Sequence, residues 1–184
     1  MKTLKRLKTS LTAEVEEQLN KQIRMEGESS QFYLAAGSWC EKEGFVNAAE
    51  FLYHHSEEER MHMMKIFRYV NESGGHALAP EIGNIKTEFA AVREVFELLL
   101  EHEVAVTRSI NKIVDFCMQK KDYGTFQFLQ WFVEEQREEE ELARRILEIF
   151  DLIGENSEHG LWMIDQEIGK LIKKAQTHNP SDEI

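Results

Sequence analysis

Four stretches of this chain carry apolar residues at spacings of three and four, and each stripe is broken near its middle by glutamate. The first reads Val15, Leu19, Ile23, Glu26, Ser30, Tyr33, and the second Leu52, His55, Glu59, His62, Ile66, Tyr69. The third reads Val92, Phe96, Leu99, Glu103, Val106, Ile110, and the fourth Phe132, Glu135, Glu139, Leu142, Ile146, Ile149. This spacing is one face of an α-helix turned to a core. Burying an unpaired carboxylate forfeits its hydration, and few basic residues lie on these stripes to compensate. A shared bound cation is the economical partner for four such groups.

The breaks between stripes set the topology. Helices are predicted over residues 12–42, 46–72, 87–120 and 125–153, with a shorter amphipathic one over 161–176. Thr12 is the expected N-cap of the first, and Glu43-Gly44, Ser73-Gly74-Gly75 and Asp122-Tyr123-Gly124 are the expected breaks. Short links make the first and second helices antiparallel, and likewise the third and fourth. The link of roughly 15 residues between the second and third is long enough, at ~3.3 Å per residue, to run the length of a bundle. The fold class is therefore all-α: a ferritin-like four-helix bundle with one long crossover and a short fifth helix. One domain is expected over residues 1–184, comprising an N-terminal extension (1–11), the bundle (12–153), the fifth helix (161–176) and a polar, flexible tail (177–184).

Height along the bundle tests the cation reading. Glu26 lies about 17 residues before the first tight turn and Glu59 about 15 after it; Glu103 lies about 19 before the second and Glu139 about 16 after it. At ~1.5 Å per residue, all four carboxylates reach one level. His62 follows Glu59 by three residues and so shares its face. Oxygen-rich ligation with one imidazole suits iron better than a structural zinc site, which favours Cys and His.

Composition excludes several alternatives. The net charge of −12 opposes binding to nucleic acid or to an anionic membrane. Cys40 and Cys117 are isolated and form neither a disulfide framework nor a CxxC metal site. The basic N-terminus lacks an apolar stretch and no run is long enough to span a membrane, so a cytoplasmic location is expected. His54, His55 and His102 are expected at the core edge or surface rather than as ligands, and Trp131 first of all as a core aromatic.

The chain resembles the bacterial non-haem ferritins over essentially its whole length. The resemblance is carried by Glu57-Glu58-Glu59-Arg60-Met61-His62-Met63, by Glu101-His102-Glu103, and most specifically by Phe128-Leu129-Gln130-Trp131-Phe132-Val133-Glu134-Glu135-Gln136-Arg137-Glu138-Glu139-Glu140. It implies a di-iron ferroxidase centre in which Glu26, Glu59 and His62 hold one iron. Glu59 would bridge to a second, completed by Glu103 and Glu139, with Gln136 and Tyr33 close by. A third iron site would use Glu58, Glu135 and Glu138, with Glu139 shared. The resemblance further implies oxidation of ferrous iron by O2 or H2O2, a ferric mineral, and a shell of twenty-four copies with the fifth helix at its fourfold axes. Leu142 stands three residues after Glu139, where a bacterioferritin would offer a second histidine, so no haem is expected. An oxidase that retains its iron and builds no mineral, and a purely structural helical shell, are the rival readings.

Overall fold

The computed structural model describes residues 9–176, with side chains to residue 171; residues 1–8, most of the expected extension, and 177–184, the expected flexible tail, lie outside the described residues. The helices are α1 (Ala13–Lys42), α2 (Val46–Glu72), α3 (Val92–Lys120), α4 (Tyr123–Ile153) and α5 (Glu158–Gln176). Thr12 caps α1 as expected, its hydroxyl accepting from Val15 N at 3.3 Å. Three starts differ from expectation. α3 begins at Val92, later than residue 87, because the Glu94 carboxylate reaches back to Ala90 N (2.6 Å) and Ala91 is fully extended. α4 begins at Tyr123 because Asp122 accepts from Thr125 N at 3.0 Å and is itself the cap. α5 begins at Glu158 because Ser157 caps it, accepting from Gly160 N at 3.0 Å.

The link over residues 73–91 runs along α1 from one end to the other. Near its start, His76 N and Leu78 N donate to Glu16 and Asn20. Midway, a Cβ added at Gly27 would lie 3.0 Å from Ile82 and 3.3 Å from Pro80, so glycine admits the link there. At its end Phe89 meets Phe32 and Trp39 edge-on. α2 ends beside the start of α1, and α3 therefore starts beside the end of α1, parallel to α2. This is the expected crossover.

Two apolar clusters fill the core, one at each end. The first joins the later half of α1 and the early half of α2 to Phe96, Ile146 and Phe150, with Ile164 and Ile168 of α5. The second joins Val15, Leu19 and Ile23 to Ile66, Val106, Ile110, Leu129 and Phe132. Between them lies a polar belt. α5 packs against the ends of α2 and α4. Its buried Asp165 accepts from Asn47 N (3.3 Å), Asn47 Nδ2 (2.7 Å) and Ala48 N (2.9 Å), capping α2, which has no side-chain cap of its own. The described end of the N-terminal extension also packs: Leu11 is buried and the Thr9 hydroxyl donates to Ser73 O at the end of α2.

One stripe is turned from its expected face. On α4 the buried residues are Thr125, Leu129, Phe132, Gln136, Ala143, Ile146 and Phe150, whereas Glu135, Glu139, Leu142 and Ile149 are only half-buried. Beyond Phe132 the core-facing line takes Gln136, Ala143 and Phe150 in place of Glu135, Leu142 and Ile149, and meets the expected stripe again only at Ile146.

Candidate metal centre

The polar belt is built from the interruptions in the stripes. Glu26, Glu59, His62 and Glu103 are buried, and Glu139 lies half-buried at the margin. Two reciprocal bonds fix the register of α1 and α2 beside the belt: Ser30 Oγ donates to Ser56 O and Ser56 Oγ to Ser30 O, each at 2.8 Å. Across the bundle, Tyr69 OH pairs with Thr125 Oγ1 at 3.0 Å and its ring stacks on Phe128 at 3.8 Å, tying α2 to α4.

Ligand atoms of Glu26, Glu59 and His62 lie within 4.8 Å of one another. Glu26 Oε2, Glu59 Oε2, His62 Nδ1 and Glu103 Oε2 are all buried without a hydrogen-bond partner. Orphaned polar atoms of this kind are rare in native cores, because each forfeits its hydration. Here they converge. His62 Nδ1 and Glu59 Oε2 stand 3.8 Å apart, too far for a hydrogen bond, yet a spacing two donors can adopt on one first-row metal ion at about 2.1 Å from each. The His62 ring is held edge-on by Trp131 (5.3 Å) and Phe132 (6.0 Å). Tyr33 OH donates to Glu103 Oε1, which leaves Oε2 facing the belt. The Gln136 amide accepts from Thr107 Oγ1 at 3.2 Å.

The belt favours neutral carboxyls until a cation arrives. Burial first, and Glu59 next, push Glu26 well above the usual carboxylate range; burial and then Glu103 do the same to Glu59. Burial and Glu139 push Glu103 up to about 7, and burial raises Glu139. Tyr33 is raised as well, by burial and the Glu103 charge, so its hydroxyl stays protonated as a donor. A divalent ion reverses this balance by replacing the protons.

A second cluster adjoins the first. His55, Glu58 and Glu139 offer ligand atoms within 4.8 Å of one another. His55 Nδ1 lies 3.0 Å from Glu58 and 3.6 Å from Glu139. Burial alone would depress this imidazole, but Glu139, Glu58 and Glu103 outweigh it and push His55 up to about 9. Of the residues expected at a third site, Glu58 and Glu139 therefore meet through His55. Glu135 is half-buried nearby, and Glu138 turns outward to Arg137 at 2.9 Å. His55, expected at the core edge, is buried inside this group; its signal was its place on the stripe with Glu59 and His62. His54 is exposed and meets Glu58 at 3.1 Å, and His102 stacks on Phe32 at 4.4 Å. Sequence reasoning also passed over Gln22, which is fully buried and donates to Glu26 Oε1 at 2.8 Å.

Four helices closed around a buried set of carboxylates and an imidazole define the class of carboxylate-centred four-helix bundles. A family model described as Ferritin-like domain matches residues 16–153. A probable bacterial non-heme ferritin-like protein of Haemophilus influenzae is 42% identical over 165 residues, covering 90% of this chain and 99% of its own. The bacterial non-heme ferritin of Campylobacter jejuni is 41% identical over 161 residues, covering 88% of this chain and 96% of its own. An open pore ferritin from Archaeoglobus fulgidus superposes with a TM-score of 0.83 at 37% identity, over 87% of this chain and 98% of that one. The chain belongs to the ferritin family.

Proposed function

We propose that this protein stores iron: it takes up ferrous ions at the mid-bundle centre, oxidises them there, and releases the ferric product to a mineral inside a hollow shell of identical copies. The observation that carries the reading is the grouping of Glu26, Glu59 and His62, whose ligand atoms lie within 4.8 Å of one another, together with buried donor atoms on all three and on Glu103 that have no hydrogen-bond partner. In this reading Glu26 and His62 hold the first ion, Glu59 bridges, and Glu103 and Glu139 hold the second. Two ferrous ions each give one electron. With two protons they reduce O2 to H2O2, or H2O2 to two waters, leaving two ferric ions. Carboxylates suit both oxidation states and can shift between terminal and bridging modes. Glu58, Glu139 and His55, with Glu135 adjoining, supply a further ion site beside the pair. Tyr33 holds Glu103 in place by donating its hydroxyl proton to one carboxylate oxygen.

The test is anaerobic ferrous titration of the assembled apo-protein, followed by an oxygen pulse read by absorbance. Two or three tight ions per subunit, fast oxidation and mineral growth are expected. Oxidation without mineral growth would favour an oxidase that retains its iron. Glu59→Ala is expected to abolish fast oxidation while the shell still assembles; an assembled variant that oxidises at the wild-type rate would overturn the assignment.

A further inference from the structure

Glu26 is held by a relay that starts on another helix. Its Oε1 accepts from Gln22 Nε2 at 2.8 Å, one turn earlier on α1. Gln22 Oε1 accepts in turn from Ser109 Oγ on α3 at 2.5 Å. Gln22 is fully buried, so its amide has no water to turn toward. A Glu26 carboxylate that binds an ion can only accept, so it takes the NH2 end of that amide, and the serine proton holds the amide oxygen on the other side. The carboxylate then has one oxygen engaged and the other, Oε2, buried without a partner, in a residue grouped with Glu59 and His62. A freely rotating carboxylate would present either oxygen or both. We infer that Gln22 and Ser109 are positioning residues that set the rotation of the Glu26 carboxylate, so that Oε2 alone is offered to the ion shared with His62 and Glu59.

The inference rests on Glu26 being a metal ligand, and it adds that α3 supports the first ion without touching it. Outer-shell hydrogen bonds orient ligands in this way, and their loss typically weakens metal affinity ~10–100-fold. The relay also separates the two ions. Glu103 and Glu139 take no part in it, so its loss should fall on one site.

The test is an anaerobic Co(II) titration of the assembled apo-protein, following the d–d absorption bands of the two site classes. The variants are E26A, Q22L, S109A and S109T. E26A should lose the class that includes His62. Q22L should weaken that same class by ~10-fold or more and change its band pattern. S109A should weaken it less, and S109T, which keeps the hydroxyl, should restore it. The class formed by Glu103 and Glu139 should keep its bands in Q22L and S109A. Wild-type titration by assembled Q22L and S109A, alongside loss in E26A, would overturn the positioning role while leaving Glu26 as a ligand. A wild-type titration by E26A would overturn the ligand reading beneath it. Should Q22L fail to assemble, the S109A and S109T pair decides alone, because Ser109 is only half-buried.

Discussion

Glu103 is a carboxyl that the fold keeps protonated. Its usual value of 4.5 is pushed up to about 7, by burial and by Glu139. The folded apo-protein therefore holds a proton that the unfolded chain has released. The stability this contributes is complete below 4.5 and is lost as the pH rises through about 7. Glu26, Glu59 and Glu139 shift the same way. The melting temperature of chelator-treated protein is thus expected to fall between those two values, and Glu103→Gln, which cannot ionise, should flatten the fall. A variant with the wild-type slope would remove Glu103 from this account. Occupancy by a divalent ion should abolish the slope, because the ion displaces the protons. At this scale much was legible in the sequence. Glu26, Glu59, His62 and Glu103 stood out because glutamate on an apolar stripe has no cheap explanation. Gln22 did not: a buried amide carries no charge to flag it, and its partner Ser109 lies 87 positions away.

At the scale of the element, the helices followed from periodicity, while their starts followed from caps. The starts of α3 and α4 differ from expectation because Glu94 and Asp122 cap through side chains whose reach depends on backbone geometry. The rotation of α4 was hidden for a related reason. Its half Gln136–Glu141 offers many polar residues and little apolar contrast, so Glu135 and Gln136 fit an inward face equally well. Two substitutions test the packing of elements. Asp165→Ala removes the cap that α5 lends to α2, and it should destabilise the fold by ~1–2 kcal/mol in chemical denaturation. Ferrous binding should be unaffected, since that cap sits in the apolar end of the bundle. Gly27→Val places a branched side chain where Ile82 and Pro80 approach to 3.0 and 3.3 Å. It should cost ~1–3 kcal/mol and expose the 73–91 link to protease; an unchanged digestion pattern would show that the link is not held there.

At the scale of the whole molecule, no helix among the described residues is long and apolar enough to cross a membrane. Several large apolar side chains stand exposed, among them Leu34, Leu78, Leu152 at 85% and Trp162 at 59%. They would supply contact surface for the proposed shell, and light scattering should then report a particle near half a megadalton rather than the 21.6 kDa of one chain. Assembly is legible only through the family resemblance, because exposed residues obey no period that would mark a contact between copies. The crossover, by contrast, could be read from link length alone.

That crossover divides the molecule into two hairpins made one after the other. The first carries Glu26, Glu59 and His62, and the second carries Glu103 and Glu139. A chain emerging from the ribosome thus possesses a partial set of donors well before it possesses a full one. In the proposed reading the two-electron step needs ligands from both hairpins, so the ion pair would be completed only once the halves have docked, and the order of synthesis itself would act as the safety catch.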